Sequence, residues 1–310
     1  MGKTAFIFPG QGAQSVGMGK DAYDAVPAAR DLFLAADDQL GFPLSSIIFN
    51  GPDEDLKQTA NTQPALLATS MAYLEAIRGK GIEPDYVAGH SLGEYSALVS
   101  AGVLSFEEAV SIVRARGEYM EAAVPGGQGA MAAVLGADRE ALSELCKSIT
   151  AEGHVVELAN MNCPGQIVIS GSAQGVAAAA ERVKEAGGKR AIPLEVSGPF
   201  HSTLMKAAAN QLAGKLEQAA FNPPSVPVVA NVTARPVEDA AAIRGLLVEQ
   251  VYSPVLWHDS VEWMIAQGVD TFVEIGPGSV LNGLIKKIDK SVKVINVNSL
   301  DSVSSLETVV

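Results

Sequence analysis

The chain has 310 residues, 48% of them hydrophobic, and a formal net charge of −13. That length can bury a large core, either as one big domain or as one domain carrying an insert. The acidic balance excludes a general nucleic-acid binder, because phosphate contacts need clustered Lys and Arg, and an acidic partner would need a local basic patch.

Residues 4–8, Thr-Ala-Phe-Ile-Phe, read as a buried strand, stopped by Pro9-Gly10-Gln11-Gly12. Helical patterning follows around 21–40 and 64–79, then a short strand at Tyr86-Val87-Ala88 and helices at 92–101 and 105–123, the last ended by Pro125-Gly126-Gly127. Strands alternating with helices predict a mostly parallel sheet. The pattern then changes. Residues 130–135 suggest a strand, 138–151 a helix with Asp138 as N-cap, 154–159 and 166–170 two strands, 173–186 a helix and 190–196 an extended segment. That β-α-β-β-α-β order, over about seventy residues, is the ferredoxin-like arrangement. It predicts an inserted α+β subdomain at 128–196, within a catalytic core formed by 1–127 and 197–310. After Ser197-Gly198-Pro199 the first pattern resumes, with helices at 204–220, 240–251 and 261–267 and strands at 226–231, 271–275 and 292–297. The tail from Asp301 is polar and is expected to fray.

The two cysteines, Cys146 and Cys163, match neither a metal-ligand spacing nor a disulfide framework, which fits a reducing cytoplasm. The apolar run at the N-terminus is too short for a signal peptide, the myristoylation pattern fails at position 6, and no stretch of about 18 apolar residues could span a membrane.

Residues 89–93, Gly-His-Ser-Leu-Gly, carry the sharpest chemical signal. In this G-x-S-x-G pattern a strand turning abruptly into a helix lifts the central Ser91 clear of the backbone, at a helix N-terminus that favours developing negative charge. A serine needs a base. Of the four histidines, His90 adjoins Ser91, but the elbow should point it away. His154 lies in the predicted insert. His258 opens a helix, where a capping or surface role is the simpler reading. His201 stands where the chain returns from the insert, a plausible cleft wall, and it leads His258 as candidate base without excluding it. An oxyanion hole needs two backbone N–H groups. Leu92 can supply one, and Gly10-Gln11-Gly12 is the best source of the other, although Pro-Gly also makes ordinary turns. No Gly-Lys-Ser/Thr follows, so this is not a nucleotide P-loop. On the helix from Phe106, residues Phe106, Ala109, Ile112, Val113 and Met120 share an apolar face, and Arg114 lies on the wet side. Arg116 falls at the edge of the apolar stripe, where a guanidinium needs an anion, either a structural carboxylate or a substrate's. Lys286, Lys287, Lys290 and Lys293, with Lys189-Arg190 as a second group, form a solvated face or a surface that steers an acidic protein.

Taken together, Phe8-Pro9-Gly10-Gln11-Gly12, Gly89-His90-Ser91-Leu92-Gly93-Glu94, Arg116, Asn160-Met161-Asn162 with Pro164-Gly165-Gln166, Phe200-His201-Ser202 and Glu274-Ile275-Gly276-Pro277-Gly278 resemble the bacterial malonyl-CoA:acyl carrier protein transacylases of fatty acid synthesis. The resemblance covers nearly the whole chain. It implies an α/β hydrolase-like core with a ferredoxin-like insert, Ser91 as nucleophile, His201 as base, and the Gln11 and Leu92 amides as oxyanion hole. Arg116 would clamp the malonyl carboxylate, Asn162 would contact substrate, and the backbone carbonyl of Gln250 would orient the histidine in place of an Asp. Phe200 resembles the residue of acyltransferase domains that prefer unbranched malonyl, where a bulky ring would exclude a methyl branch by about 1–3 kcal/mol. Malonyl-CoA is then the donor and phosphopantetheinylated acyl carrier protein the acceptor. Neither a metal nor a permanently bound cofactor is expected, and the enzyme is expected to be monomeric, with no nucleic acid and no membrane as partner. The competing readings are a thioesterase or esterase using the same elbow, a malonyltransferase of a polyketide pathway, and a silent module that docks carrier protein.

Overall fold

In the computed structural model, which describes residues 2–306, the chain runs β1 (Lys3–Phe8), α1 (Lys20–Ala25), α2 (Pro27–Leu40), α3 (Leu44–Asn50), α4 (Asp53–Lys57), α5 (Thr59–Ile77), β2 (Tyr86–Gly89), α6 (Gly93–Ser100) and α7 (Phe106–Ala122). A second group follows: β3 (Gly129–Leu135), α8 (Arg139–Ala151), β4 (Val156–Cys163), β5 (Gln166–Ser172), α9 (Ala173–Glu181) and β6 (Arg190–Pro193). The chain ends with α10 (Lys206–Glu217), β7 (Val228–Val229), β8 (Pro236–Val237), α11 (Ala240–Gln250), α12 (Trp257–Ala266), β9 (Val269–Ile275), α13 (Val280–Ile288), β10 (Lys293–Val297) and α14 (Leu300–Leu306).

The larger sheet has the order β10-β9-β1-β2-β7-β8, with β8 alone antiparallel. Side chains alternate across it with the period of two that a strand imposes. Phe6, Phe8 and Val87 face one layer, with Phe33 of α2, Leu66 of α5 and Val113 of α7. Ala5, Ile7 and Ala88 face the other, with Val261 and Met264 of α12 and Leu284 of α13. Both faces are covered, so these strands are continuously apolar. Each large side chain sealed there contributes about 1.5–3 kcal/mol. Phe8 pairs with Gly89, so β1 and β2 end together and their following loops share one edge, where open α/β sheets hold ligands.

The smaller sheet is antiparallel in the order β4-β5-β3-β6, the ferredoxin-like order expected from the element sequence. Ala132, Val134 and Ile169 on one face pack against Leu142, Leu145 and Ile149 of α8 and Ala179 of α9. Met131, Ala159 and Val168 on the other face join the main core. The register of β4 shifts between Leu158 and Asn160, and the bent strand pairs with the core at Val255, whose N–H donates to the Ala159 carbonyl at 2.8 Å. That bend carries Asn160 to the junction of the two sheets.

Several boundaries differ from the sequence expectation. The helical region at 21–40 breaks at Val26, because Pro27 starts a new helix and pushes the residue before it into an extended conformation. The helix expected to begin at 64 begins at Thr59 and contains Pro64. Pro64 cannot donate to the Ala60 carbonyl, which instead accepts from Arg114 Nη1 at 3.3 Å. Helices α3 and α4 were not anticipated, β4 runs on to Cys163, and β7 is only Val228–Val229. The tail does not fray from Asp301. It forms α14, which buries Val303 and Leu306, and the Leu300 N–H donates to Asp21 Oδ2 at 2.7 Å. Residues 307–310, the rest of that expectation, lie outside the described residues.

Candidate active site

Ser91 occupies the turn between β2 and α6 with a φ of 51°, a left-handed conformation unusual for a side chain with a Cβ. The flanking glycines are steric requirements. A Cβ on Gly89 would overlap the backbone of Gly93, and a Cβ on Gly93 would overlap the Phe8 carbonyl. Hydrogen bonds hold the strained turn in place. Asn231 Oδ1 accepts from the Ser91 N–H at 2.8 Å, and Asn231 Nδ2 donates to the Gly89 carbonyl at 2.7 Å.

His201, also at positive φ (58°), brings Nε2 to 2.8 Å from Ser91 Oγ. Its Nδ1 lies 2.8 Å from the Gln250 carbonyl oxygen. A carbonyl can only accept, so Nδ1 carries the proton and Nε2 is left as the acceptor for the serine hydroxyl. Burial first, and then the Arg116 charge, hold the His201 imidazole well below its ordinary value, at about 3. The ring is therefore neutral across the physiological range, with the Nε2 lone pair free to accept the serine proton.

Arg116 is only 1% exposed. Its Nη1 donates to Gln63 Oε1 at 2.7 Å, and its Nη2 donates to Gln250 Oε1 at 2.8 Å and to Ser91 Oγ at 3.2 Å. Its Nε has no hydrogen-bond partner among the described residues, and the guanidinium sits over the Tyr95 ring at 5.5 Å. Among the described residues no carboxylate lies within ion-pair distance of it. A buried cation met only by neutral oxygens is an unfilled electrostatic site. Arg114, two residues earlier on α7, pairs with Glu118 at 2.6 Å, as its place on the wet face predicts.

A cavity of about 320 Å³ joins these groups, lined among others by Gln11, Ser91, Leu92, Arg116, Phe200 and His201. The loop after β1 packs directly on the elbow, since a Cβ on Gly10 would overlap the His90 carbonyl. Gln11 and Leu92 thus both line the space in front of Ser91. Phe200 is buried and forms part of the wall.

One sequence expectation is corrected here. His90 does not point away from the site. It lines the same cavity, with its Nε2 at 2.9 Å from Asn162 Oδ1. Asn162 is occupied with that ring, and it is Asn160 that lines the cavity. His258 lies on α12, 3.1 Å from Glu262, and His154 lies in the loop before β4, so neither reaches Ser91. Three side chains at the centre were missed: Gln63, Asn231 and Glu94, whose Oε2 accepts from Gln250 Nε2 at 2.8 Å. The largely polar first turn of α5, Thr59–Gln63, buried in the structure, was the available signal for Gln63.

A serine at a strained elbow, a neutral histidine within hydrogen-bond reach of it and a buried cation with no carboxylate among the described residues suit an enzyme that transfers acidic acyl groups, and the family comparison agrees. The acyl transferase domain family matches residues 5–307, and the chain belongs to it. Its relatives are more particular. The malonyl CoA-acyl carrier protein transacylase of Bacillus subtilis (strain 168) is 56% identical over 303 residues, covering 98% of this chain and 96% of that protein. That of Staphylococcus aureus (strain MRSA252) is 48% identical over 303 residues, covering 98% of each. Among solved structures, an acyl carrier protein S-malonyltransferase from Vibrio cholerae O1 biovar eltor superposes with a TM-score of 0.95 at 46% identity, covering 98% of this chain and 99% of that one. A malonyl-transacylase solved in complex with its type II polyketide synthase acyl-carrier protein superposes with a TM-score of 0.96 at 45% identity, covering 99% and 100%.

Proposed function

We propose that this chain moves the malonyl group of malonyl-CoA to the phosphopantetheine thiol of acyl carrier protein, through a malonyl ester on Ser91. One observation carries the reading: Ser91 Oγ lies 2.8 Å from an unprotonated histidine nitrogen and 3.2 Å from a buried guanidinium that has no carboxylate partner among the described residues. Ser91 gives its proton to His201 Nε2 as Oγ attacks the thioester carbonyl. The oxyanion develops against the Gln11 and Leu92 amides while Arg116 holds the distal carboxylate. The C–S bond breaks, and the coenzyme A sulfur leaves with the proton from His201. The carrier thiol then returns a proton to Nε2, its sulfur attacks the ester, and Ser91 Oγ departs reprotonated. Phe200 crowds the α-carbon of the acyl group and favours malonyl over a branched homologue. The steps need neither metal nor bound cofactor.

The carrier is the acidic partner for which the basic residues are suited. Leu135 pairs with both Gln166 and Arg190 across the small sheet, and Lys287 Nζ reaches Gln166 Oε1 at 3.4 Å, so Arg190 and Lys287 share one end of that sheet. The proposed setting is fatty acid synthesis in the cytoplasm, with the enzyme as a monomer. The two buried cysteines are unpaired, and among the described residues no helix is long and apolar enough to cross a membrane.

Intact-mass measurement after brief exposure to malonyl-CoA tests the reading. A malonyl adduct should form, survive in buffer, and disappear when holo carrier protein is added. An adduct that water removes as fast as the carrier does indicates a hydrolase instead. Parallel transfers to fatty acid and polyketide carriers identify the pathway served.

A further inference from the structure

Arg116 is held in an unusual way for a buried cation. Besides Ser91 Oγ, its bonded neighbours are two side-chain amides, Gln63 at 2.7 Å and Gln250 at 2.8 Å, and these are 1% and 0% exposed. A carboxylate stands just behind one of them. Glu94, 2% exposed, accepts from Gln250 Nε2 at 2.8 Å and from the Asn231 N–H at 3.1 Å. The Gln250 amide therefore lies between cation and anion, its oxygen toward Arg116 and its nitrogen toward Glu94. Its nitrogen also donates to the Ser91 carbonyl at 3.0 Å and to Asn231 Oδ1 at 3.3 Å, so the amide cannot turn over without losing all four contacts. On the other side, Gln63 Nε2 has only the weak acceptor Met120 Sδ, at 3.7 Å, and its oxygen is committed to the guanidinium.

An amide oxygen satisfies an N–H without cancelling the positive charge, whereas a carboxylate does both. From this arrangement we infer that Gln63 and Gln250 are specificity-determining positioning residues, which keep Arg116 bonded yet uncompensated so that the site favours an acyl group bearing its own carboxylate. The inference rests on the reading of Arg116 as the malonyl clamp and deepens it. With a carboxylate in place of either amide, the ion pair would already be made, and an anionic acyl group would have to break it. An uncharged acyl group would meet little change. Burial pushes the Glu94 carboxyl up to about 7, which further weakens the nearest internal anion.

The experiment measures kcat/KM for acylation of the full-length enzyme by malonyl-CoA and by acetyl-CoA, and reads their ratio. In Gln63→Glu the malonyl-to-acetyl ratio should fall by about 100-fold or more, with acetyl use kept within a few-fold. Gln63→Met adds no charge but removes the oxygen that holds Nη1, so the ratio should fall by clearly less than in Gln63→Glu. The exchange Glu94→Gln/Gln250→Glu conserves composition and net charge and only moves the carboxylate one step closer to Arg116. It too should collapse the ratio. An unchanged ratio in Gln63→Glu and in the exchange overturns the inference, and so does an equal fall in Gln63→Met, which would make the effect one of packing. Failure of both charged variants to fold also counts against it, because a carboxylate beside an unpaired buried cation should be accommodated. Arg116→Ala separates the two levels. If it leaves the malonyl preference intact, the clamp reading fails; if it abolishes the preference while Gln63→Glu retains it, only the inference about the amides fails.

Discussion

Replacing Arg116 by Ala removes a guanidinium that is 1% exposed and touches the nucleophile. For malonyl-CoA the loss is that of one partner of a desolvated charge pair, about 2–5 kcal/mol. At about 1.4 kcal/mol per tenfold, kcat/KM should fall roughly 30- to 4,000-fold. Acetyl-CoA brings no carboxylate. It forfeits only the Nη2–Oγ hydrogen bond at 3.2 Å, a long one, and its kcat/KM should change by less than about tenfold. A second signature follows from the histidine. Arg116 is the second cause, after burial, of the low His201 basicity, so removing it should raise the imidazole pKa. In the variant, the acid limb of the acetyl-CoA profile should then move to higher pH. Both effects are read by stopped-flow release of coenzyme A thiol across pH for each donor. Equal losses for the two donors, together with an acid limb that stays in place, would refute the reasoning.

Four further outcomes are expected. Ser91→Ala should bind malonyl-CoA but gain no covalent mass, and an adduct elsewhere on the chain would move the nucleophile. The neutral, buried His201 makes folding exclude a proton: its contribution is complete above the ordinary value of 6.5 and lost as the pH falls toward about 3, at about 1.4 kcal/mol per unit. His201→Asn should therefore flatten the acid side of the urea-unfolding stability curve; parallel curves for the two proteins would contradict this burial. Asn231→Ala strips the Ser91 N–H and Gly89 carbonyl of their partner and should cost about 1–3 kcal/mol of stability, with a larger loss in kcat than in KM. Wild-type turnover in that variant would show that the elbow holds itself. Lys287→Glu should raise KM for the carrier and leave malonyl-CoA acylation unchanged, whereas an unaltered carrier KM would place docking on another face.

The sequence-level reading succeeded where local rules decide structure. Short, continuously apolar runs marked β1, β2 and β9, and Gly89 and Gly93 marked the elbow because no side chain fits there. Asp138 capped α8 as its type and position predict, accepting from the Ala141 N–H. Arg116 stood out because helical spacing placed a cation at the edge of an apolar stripe, and the family motifs pointed to His201 and Gln250. Local rules failed where a distant group changed the outcome. Pro64 sits inside α5 because Arg114 takes over the carbonyl it cannot serve. The tail becomes a helix because Asp21 accepts its first N–H.

The sequence by itself determined the strand and helix alternation, the insert, the turn that exposes Ser91 and the chemistry its neighbours can perform, since each depends on the shape and spacing of adjacent residues. Only the tertiary structure decided which base faces the serine, that His90 lines the cavity while Asn162 is bonded to its ring, and that Arg116 is met by amides instead of acids. Asn231 reaches Ser91 across 140 positions and Gln250 reaches Glu94 across 156. Contacts of that span leave no periodic trace in the chain, because they arise from how the two sheets and their helices pack rather than from any local preference of the backbone.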